Sequence, residues 1–211
     1  MKLDTQRVSP VSTFKIVNTL TGVQTGKITD ENMVIKWDGS ERQFPEWNKD
    51  LTLKEAFRAS SVPYFQEIAK RIGRDNMKLW VDSLQYGNKD ISGPLDSFWL
   101  NGHLKISPDE QLGLMSKLYF DQLPFQKYAQ QIVRNAMLME DNTLYKFSYA
   151  TGFDMENDRV GWVVGWIEEN RHVYFFVTLV KPSNKNTDLN TVGLNITRGI
   201  LKELGFFKGE M

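Results

Sequence analysis

Two-thirds of the way along the chain the hydrophobic pattern changes period, and this constrains the fold more than any other feature. Leu144 to Thr151, Val160 to Glu168 and His172 to Val180 are rich in aromatic and β-branched residues and are separated by polar turns. Such runs read as three short strands of an antiparallel meander. The segments before them carry apolar residues at helical spacing, and Thr187 or Asp188 opens a closing helix through Val192, Ile196, Ile200 and Leu201 to Gly205. A helical block beside a sheet flanked by the first and last helices is an α+β arrangement, with a cleft where the blocks meet. We expect a single domain over 1–211, helical from about 30 to 140, with the sheet and terminal helix from about 141 to 211.

Capping signals place the helices. Pro10, with Ser9 as cap, begins a helix through Phe14, Val17 or Ile16, Leu20 and Val23 that runs to Gly26. Met33 to Trp47 reads as loop or edge strand. Thr52-Leu53-Lys54-Glu55 has the reciprocal capping pattern and predicts a helix to about Ala59. Ser60-Ser61-Val62-Pro63 puts Ser60 on a turn before a helix that ends at Gly73. Asp75 caps a helix running to Tyr86-Gly87-Asn88, and Ile91 to Gly102 is a loop carrying Phe98-Trp99-Leu100. Ser107-Pro108-Asp109-Glu110 opens a helix to about Phe120, and a further helix spans Pro124 to Met139.

Composition excludes several functions. With 41% hydrophobic and 25% charged residues, the 211 residues suffice for a sizeable core, and 26 acidic against 26 basic side chains leave no net field for nucleic acid or an anionic membrane. The absence of cysteine removes disulfides, thiol nucleophiles and thiolate metal sites. His103 and His172 are too few and too isolated for a metal site and read as ordinary loop or strand residues. No apolar run reaches the length of a membrane span, no signal peptide is written in the chain, and no Gly-rich phosphate loop or repeat is present.

Ser12-Thr13-Phe14-Lys15 carries the chemistry. Three residues apart on a helix, Ser12 and Lys15 share a face, so a lysine deprived of its charge by burial can serve as base for a weak serine nucleophile. The four-residue pattern alone turns up by chance about once in a chain this long, and an exposed lysine beside a helix-start serine would explain it equally. Its neighbours decide the matter. Ser60-Ser61-Val62, Tyr86-Gly87-Asn88, Phe98-Trp99-Leu100, Thr151-Gly152-Phe153 and Gly161-Trp162-Val163-Val164-Gly165-Trp166 follow in order, with Lys36-Trp37-Asp38-Gly39, the continuation Lys89-Asp90-Ile91-Ser92-Gly93 and Val173-Tyr174-Phe175-Phe176 alongside. This set resembles the class D β-lactamases, the oxacillinase group of penicillin-recognising serine enzymes, from about Arg7 to the last helix.

The resemblance implies a β-lactamase/transpeptidase-like fold and a division of labour. Ser12 would attack the lactam carbonyl, and Lys15, carrying carbon dioxide as a carbamate and needing no other cofactor or metal, would be the base. Phe14, Val62, Trp99 and Leu100 would wall the lysine pocket, the Trp99 indole steadying the carbamate; packing alone would equally suit the other three. Ser60 would relay protons. The backbone N–H groups of Ser12 and Phe153 would form the oxyanion hole, and Ser60, Val62, Thr151, Gly152 and Phe153 would bind substrate. Tyr86-Gly87-Asn88 would shape the cleft. The implied partners are β-lactam antibiotics, and the implied location is periplasmic or extracellular.

Three departures from the family pattern accompany it. The strand motif usually read as Lys-Thr-Gly is Ala150-Thr151-Gly152 here, and the arginine that binds the substrate carboxylate in many relatives falls near Gly193. Losing one charge-assisted contact of roughly 1.5–3 kcal/mol costs about one to two orders of magnitude in rate or affinity; Lys185, Arg198 and Arg159 are the cations available to compensate, and the Thr151 hydroxyl retains part of the recognition. Only eleven residues precede Ser12, where relatives place a leader, a helix and the first sheet strands. The expectation is an uncovered sheet edge, and with it a truncated or alternatively started chain, a homodimer that covers the edge, or a poorly stable monomer. Three functional classes follow: a class D hydrolase of penicillins with weakened turnover, a non-hydrolytic β-lactam sensor, and a silent relative. Val62 favours the first, since the sensor pattern has a polar residue there; Ala150 and the short start support the last.

Overall fold

The computed structural model describes residues 3–154, 158–182 and 188–210. Helix α1 (Lys15–Gln24) is its centre, buried along its whole length from Lys15 to Gly22. It packs against α3 (Val62–Ile72) and α6 (Lys127–Met137), whose strongly one-sided apolar faces turn towards it. This central position takes residue 15 out of water.

The other helices are set by the predicted local signals. Thr52 and Glu55 form a reciprocal capping box at α2 (Leu53–Arg58), and Ser107 and Glu110 form another at α5 (Pro108–Tyr119). Pro63 opens α3, with Ser60 on the preceding turn at φ +48°. Thr187 lies outside the described residues, and the closing helix α7 spans Leu189–Glu203. Residues 91–102 contain neither helix nor strand.

Three boundaries differ from expectation, each for a physical reason, while the segment from Met33 to Trp47 keeps to its reading as loop or edge strand. The helix predicted from Pro10 begins as a 3-10 turn, Val11–Phe14, because Val11 takes a positive φ of +44°; Ser9 is no cap, its hydroxyl donating instead to the Trp99 carbonyl at 2.9 Å. Helix α4 (Arg74–Ser83) is capped by Gly73 rather than Asp75, which sits in its first turn, and it stops short of Tyr86 because Gln85 turns to φ +53°. Helix α6 ends at Met137, where Leu138–Asp141 becomes a strand, β3. No proline or glycine marks that switch; pairing with the next strand outweighs helix continuation. Met33 to Trp47 contains a two-residue strand, β1 (Val34–Ile35), paired with β2 (Leu51–Thr52).

The meander therefore has four strands, not three. β3, β4 (Tyr145–Asp154), β5 (Val160–Glu169) and β6 (His172–Val180) pair antiparallel in that order. β5 is almost wholly buried because both sheet faces are covered: Trp162 and Trp166 join the core around α1, while Ile167 packs with Phe147, Leu201 and Phe206. Among the described residues β6 pairs only with β5.

Candidate active site

The segment before Ser12 is tied down through the backbones of Val8 and Ser9. Val8 bridges Ile106, the Ser9 N–H donates to Asp158 at 2.6 Å, and the Ser9 carbonyl accepts from the Trp162 indole at 2.8 Å. These ties hold Val11 in a backbone region that a β-branched residue rarely enters. The result presents Ser12, half-buried, at the head of α1. Behind it the Thr13 hydroxyl donates to the Pro10 carbonyl at 2.6 Å and accepts from Gln111 at 2.8 Å, so the turn is anchored to α5 as well.

Lys15 is only 2% exposed. Its Nζ donates to the Ser60 hydroxyl and, at 3.3 Å, to the Thr151 carbonyl, and it lies 4.9 Å from the centroid of the Phe57 ring. No carboxylate pairs with it among the described residues. Burial alone lowers its pKa from 10.5 to about 7, because the charged form forfeits its hydration without a counter-charge. Near neutral pH a large fraction of this amine is a free base. A cavity of about 280 Å³ opens beside it between α2, β4 and α7.

Strand β4 forms the other wall. Among the described residues β3 pairs only with its residues 146–148, so on that side Ala150 to Phe153 pass the nucleophile beyond the end of the β3 ladder. Gly152 makes the approach feasible: a Cβ there would stand 2.9 Å from the Ser12 nitrogen and 2.8 Å from the Thr13 nitrogen. The Gly152 backbone is thus packed directly against the turn that carries Ser12, with Phe153 next along the strand. Phe153 meets Phe44 at 6.4 Å, Phe44 leans on Trp47 at 4.6 Å, and the Trp47 indole donates to the Ala59 carbonyl at 3.0 Å. This aromatic strap joins the Ser60 turn to the tip of β4 across the cleft.

The back wall is built on Phe14, whose fully buried ring stacks on Trp99 at 5.5 Å and meets Phe98 and Tyr86 edge-on. Leu100 is half-buried against the same cluster, and Val62 is half-buried in the first turn of α3. Tyr86-Gly87-Asn88 clips this wall to the loop before α5. Gly87, at φ +50°, passes so close to Lys105 that a Cβ would lie 1.8 Å from its carbonyl oxygen, and Asn88 bonds both His103 O and Lys105 N. His103 faces Ser92 at 3.0 Å and His172 begins β6 in solvent.

Of the residues named from sequence, Ser12, Lys15, Ser60, Thr151, Gly152 and Phe153 converge, with Phe14, Trp99, Leu100 and Val62 around them. Sequence reasoning missed Phe57, Phe44, Ser9, Asp158 and Gln111, which reach the site only through the tertiary fold. Of the three cations considered, Arg198 pairs with Glu140 and covers the Phe147 ring, Arg159 lies in the turn before β5, and Lys185 is outside the described residues. Ala150 is wholly buried, and Gly193 packs towards Val163.

A half-buried serine and a buried lysine at the head of a central helix, beside an antiparallel strand that carries Thr-Gly near its end, define a penicillin-recognising serine enzyme. The sequence matches the family described as penicillin binding protein transpeptidase domain over residues 2–202. It is 43% identical over 200 residues to the probable beta-lactamase YbxI of Bacillus subtilis, covering 95% of this chain and 73% of that protein. To beta-lactamase OXA-48 of Klebsiella pneumoniae it is 40% identical over 206 residues, covering 97% and 75%. Among solved structures, the class D β-lactamase of Bacillus subtilis superposes with a TM-score of 0.90 at 42% identity, covering 97% of this chain and 84% of that one. The class D enzyme YbXI from Nostoc does so with 0.90 at 37% identity, covering 96% and 85%. The chain belongs to the penicillin-binding transpeptidase-domain family and, within it, to the class D β-lactamases.

Proposed function

We propose that this chain hydrolyses the β-lactam amide of penicillin-type antibiotics through an acyl-enzyme on Ser12. One observation carries the reading: a lysine without a carboxylate partner, pushed by burial to a pKa of about 7, hydrogen-bonded to the Ser60 hydroxyl. The neutral Lys15 amine takes the Ser60 proton as Ser60 takes that of Ser12. The Ser12 Oγ then bonds to the lactam carbonyl carbon, the C–N bond breaks, and the ring nitrogen receives a proton returned through Ser60. Backbone N–H groups of Ser12 and Phe153 stabilise the charge that develops on the carbonyl oxygen. Water hydrolyses the resulting ester and restores Ser12.

The surroundings of Lys15 also suit a carbamate: the amine is substantially neutral, an aromatic ring lies 4.9 Å away, and a cavity adjoins Nζ. Carbon dioxide bound there would supply an anionic oxygen base. Phe57 covers one side of that corner, and Ser60 is hydrogen-bonded to Nζ.

Ala150 leaves the strand without a cation, so we expect turnover below that of a member carrying lysine there. We further propose a periplasmic or extracellular setting by likeness to the family, and a homodimer in which the outer edge of β6 is covered. Among the described residues, no helix is long and apolar enough to cross a membrane.

Time-resolved intact mass spectrometry with benzylpenicillin, bicarbonate and a Ser12→Ala control tests the activity. A transient adduct with accumulating penicilloate is expected. A lasting adduct at Ser12 would mean a sensor, and none would leave a silent relative.

A further inference from the structure

We infer that Arg58, the last residue of α2, is the anion-recognising cation of this site, and that it draws the carboxylate of a β-lactam acid into the cavity beside Lys15. The inference rests on the hydrolase reading above and adds a specificity residue to it.

The cavity is lined by Lys15, Arg58, Tyr149, Thr151, Thr191 and Asn195, together with the apolar residues Phe57, Met139 and Leu194. A guanidinium, an amine, three hydroxyl-bearing residues and an amide-bearing residue therefore border it, and among the described residues that line it there is no carboxylate. Such a donor set selects an anion. Lys15 is not the permanent charge, because near pH 7 much of it is neutral and its Nζ is engaged with Ser60. A guanidinium keeps its charge at every working pH.

Arg58 is also oriented. Its Nη2 donates to the Leu138 carbonyl at 3.1 Å, at the junction of α6 and β3, which fixes the head group of a residue that lines the cavity. One nitrogen is spent on that bond, and the remaining N–H groups of the planar fork are available to a carboxylate. Its field reaches the far wall, since its positive charge opposes the upward shift that burial imposes on the Tyr149 hydroxyl. Only Ala59 separates it in sequence from the Ser60 that contacts Lys15, so anion recognition and proton relay sit at the same helix end. Arg198 is held by Glu140 under α7 and does not line the cavity.

The test compares benzylpenicillin with its methyl ester, which keeps the lactam and loses the charge, in the wild type and in Arg58→Gln and Arg58→Lys. Gln retains a donor for Leu138 O, and a melting curve for each variant separates recognition from folding. The acid-to-ester ratio of kcat/KM should fall at least about tenfold in Arg58→Gln and recover in part in Arg58→Lys. An unchanged ratio in a well-folded Arg58→Gln protein, or equal losses for acid and ester, would overturn the assignment while leaving the hydrolase reading intact. If neither compound acylates Ser12 in the wild type, both fall together.

Discussion

The Nζ of Lys15 donates a hydrogen bond to the hydroxyl of Ser60, a residue 45 positions further along the chain. The bond joins the head of the buried helix α1 to the turn between α2 and α3. In the proposed mechanism these two side chains form the proton path to Ser12, and that path works only while the lysine is uncharged.

The pKa of about 7 fixes the pH response of acylation. The rate of Ser12 acylation should rise with pH through about 7 as Lys15 loses its proton, then level off. Lys15→Met should lose acylation by at least about a hundredfold, in the range of a general base. Stopped-flow acylation rates between pH 5.5 and 9 check this; a flat profile in the wild type would remove Lys15 from the role of base.

The same shift predicts a stability effect of definite sign. Folded Lys15 titrates near 7 and unfolded lysine at 10.5, so between those values the unfolded state binds the extra proton. Stability therefore rises with pH across that window, by about 1.4 kcal/mol per pH unit at most, and below it the full cost of a buried charge is borne. Urea titrations in carbon dioxide-free buffer at pH 6.5 and 8.5 should show the gain. In Lys15→Met the slope from this residue should vanish, and the protein should be more stable than the wild type at pH 6.5.

Gly87→Ala places a methyl 1.8 Å from the Lys105 carbonyl oxygen on a backbone at φ +50°. Neither neighbour is a flexible side-chain end. We expect a loss of at least about 2 kcal/mol, seen as a lower urea midpoint, because the clip between Tyr86 and the loop before α5 must open. A loss under about 0.5 kcal/mol would mean the clip does not hold the wall behind Phe14.

Phe44 spans the cleft by touching Phe153 and Trp47. Phe44→Ala should raise KM for penicillins several-fold, with a smaller change in kcat, since the strap confines substrate without touching the proton path. A fall in kcat with KM unchanged would place the ring in the chemistry instead. Steady-state kinetics with benzylpenicillin separates the two.

What was legible in the amino-acid order is what acts within a few residues. Thr52 with Glu55 and Ser107 with Glu110 start their helices as predicted, Pro63 opens α3, and the alternating runs become β4, β5 and β6. The motif order from Ser12 to Phe153 pointed to the family and to the residues that converge. Other features depended on partners distant in sequence. Leu138 leaves the helix because Ser148 and its neighbours offer a strand to pair with, and Val11 accepts a positive φ because Ser9 is held by Asp158, Trp99 and Trp162. Lys15 becomes a base only because α3, α6 and the sheet enclose α1, and Arg58 meets Tyr149 and Asn195 only because α2 and α7 close on the same cavity. Caps and periodicity are settled by neighbours along the chain, whereas desolvation and charge convergence depend on which surfaces meet, and only the folded chain decides that.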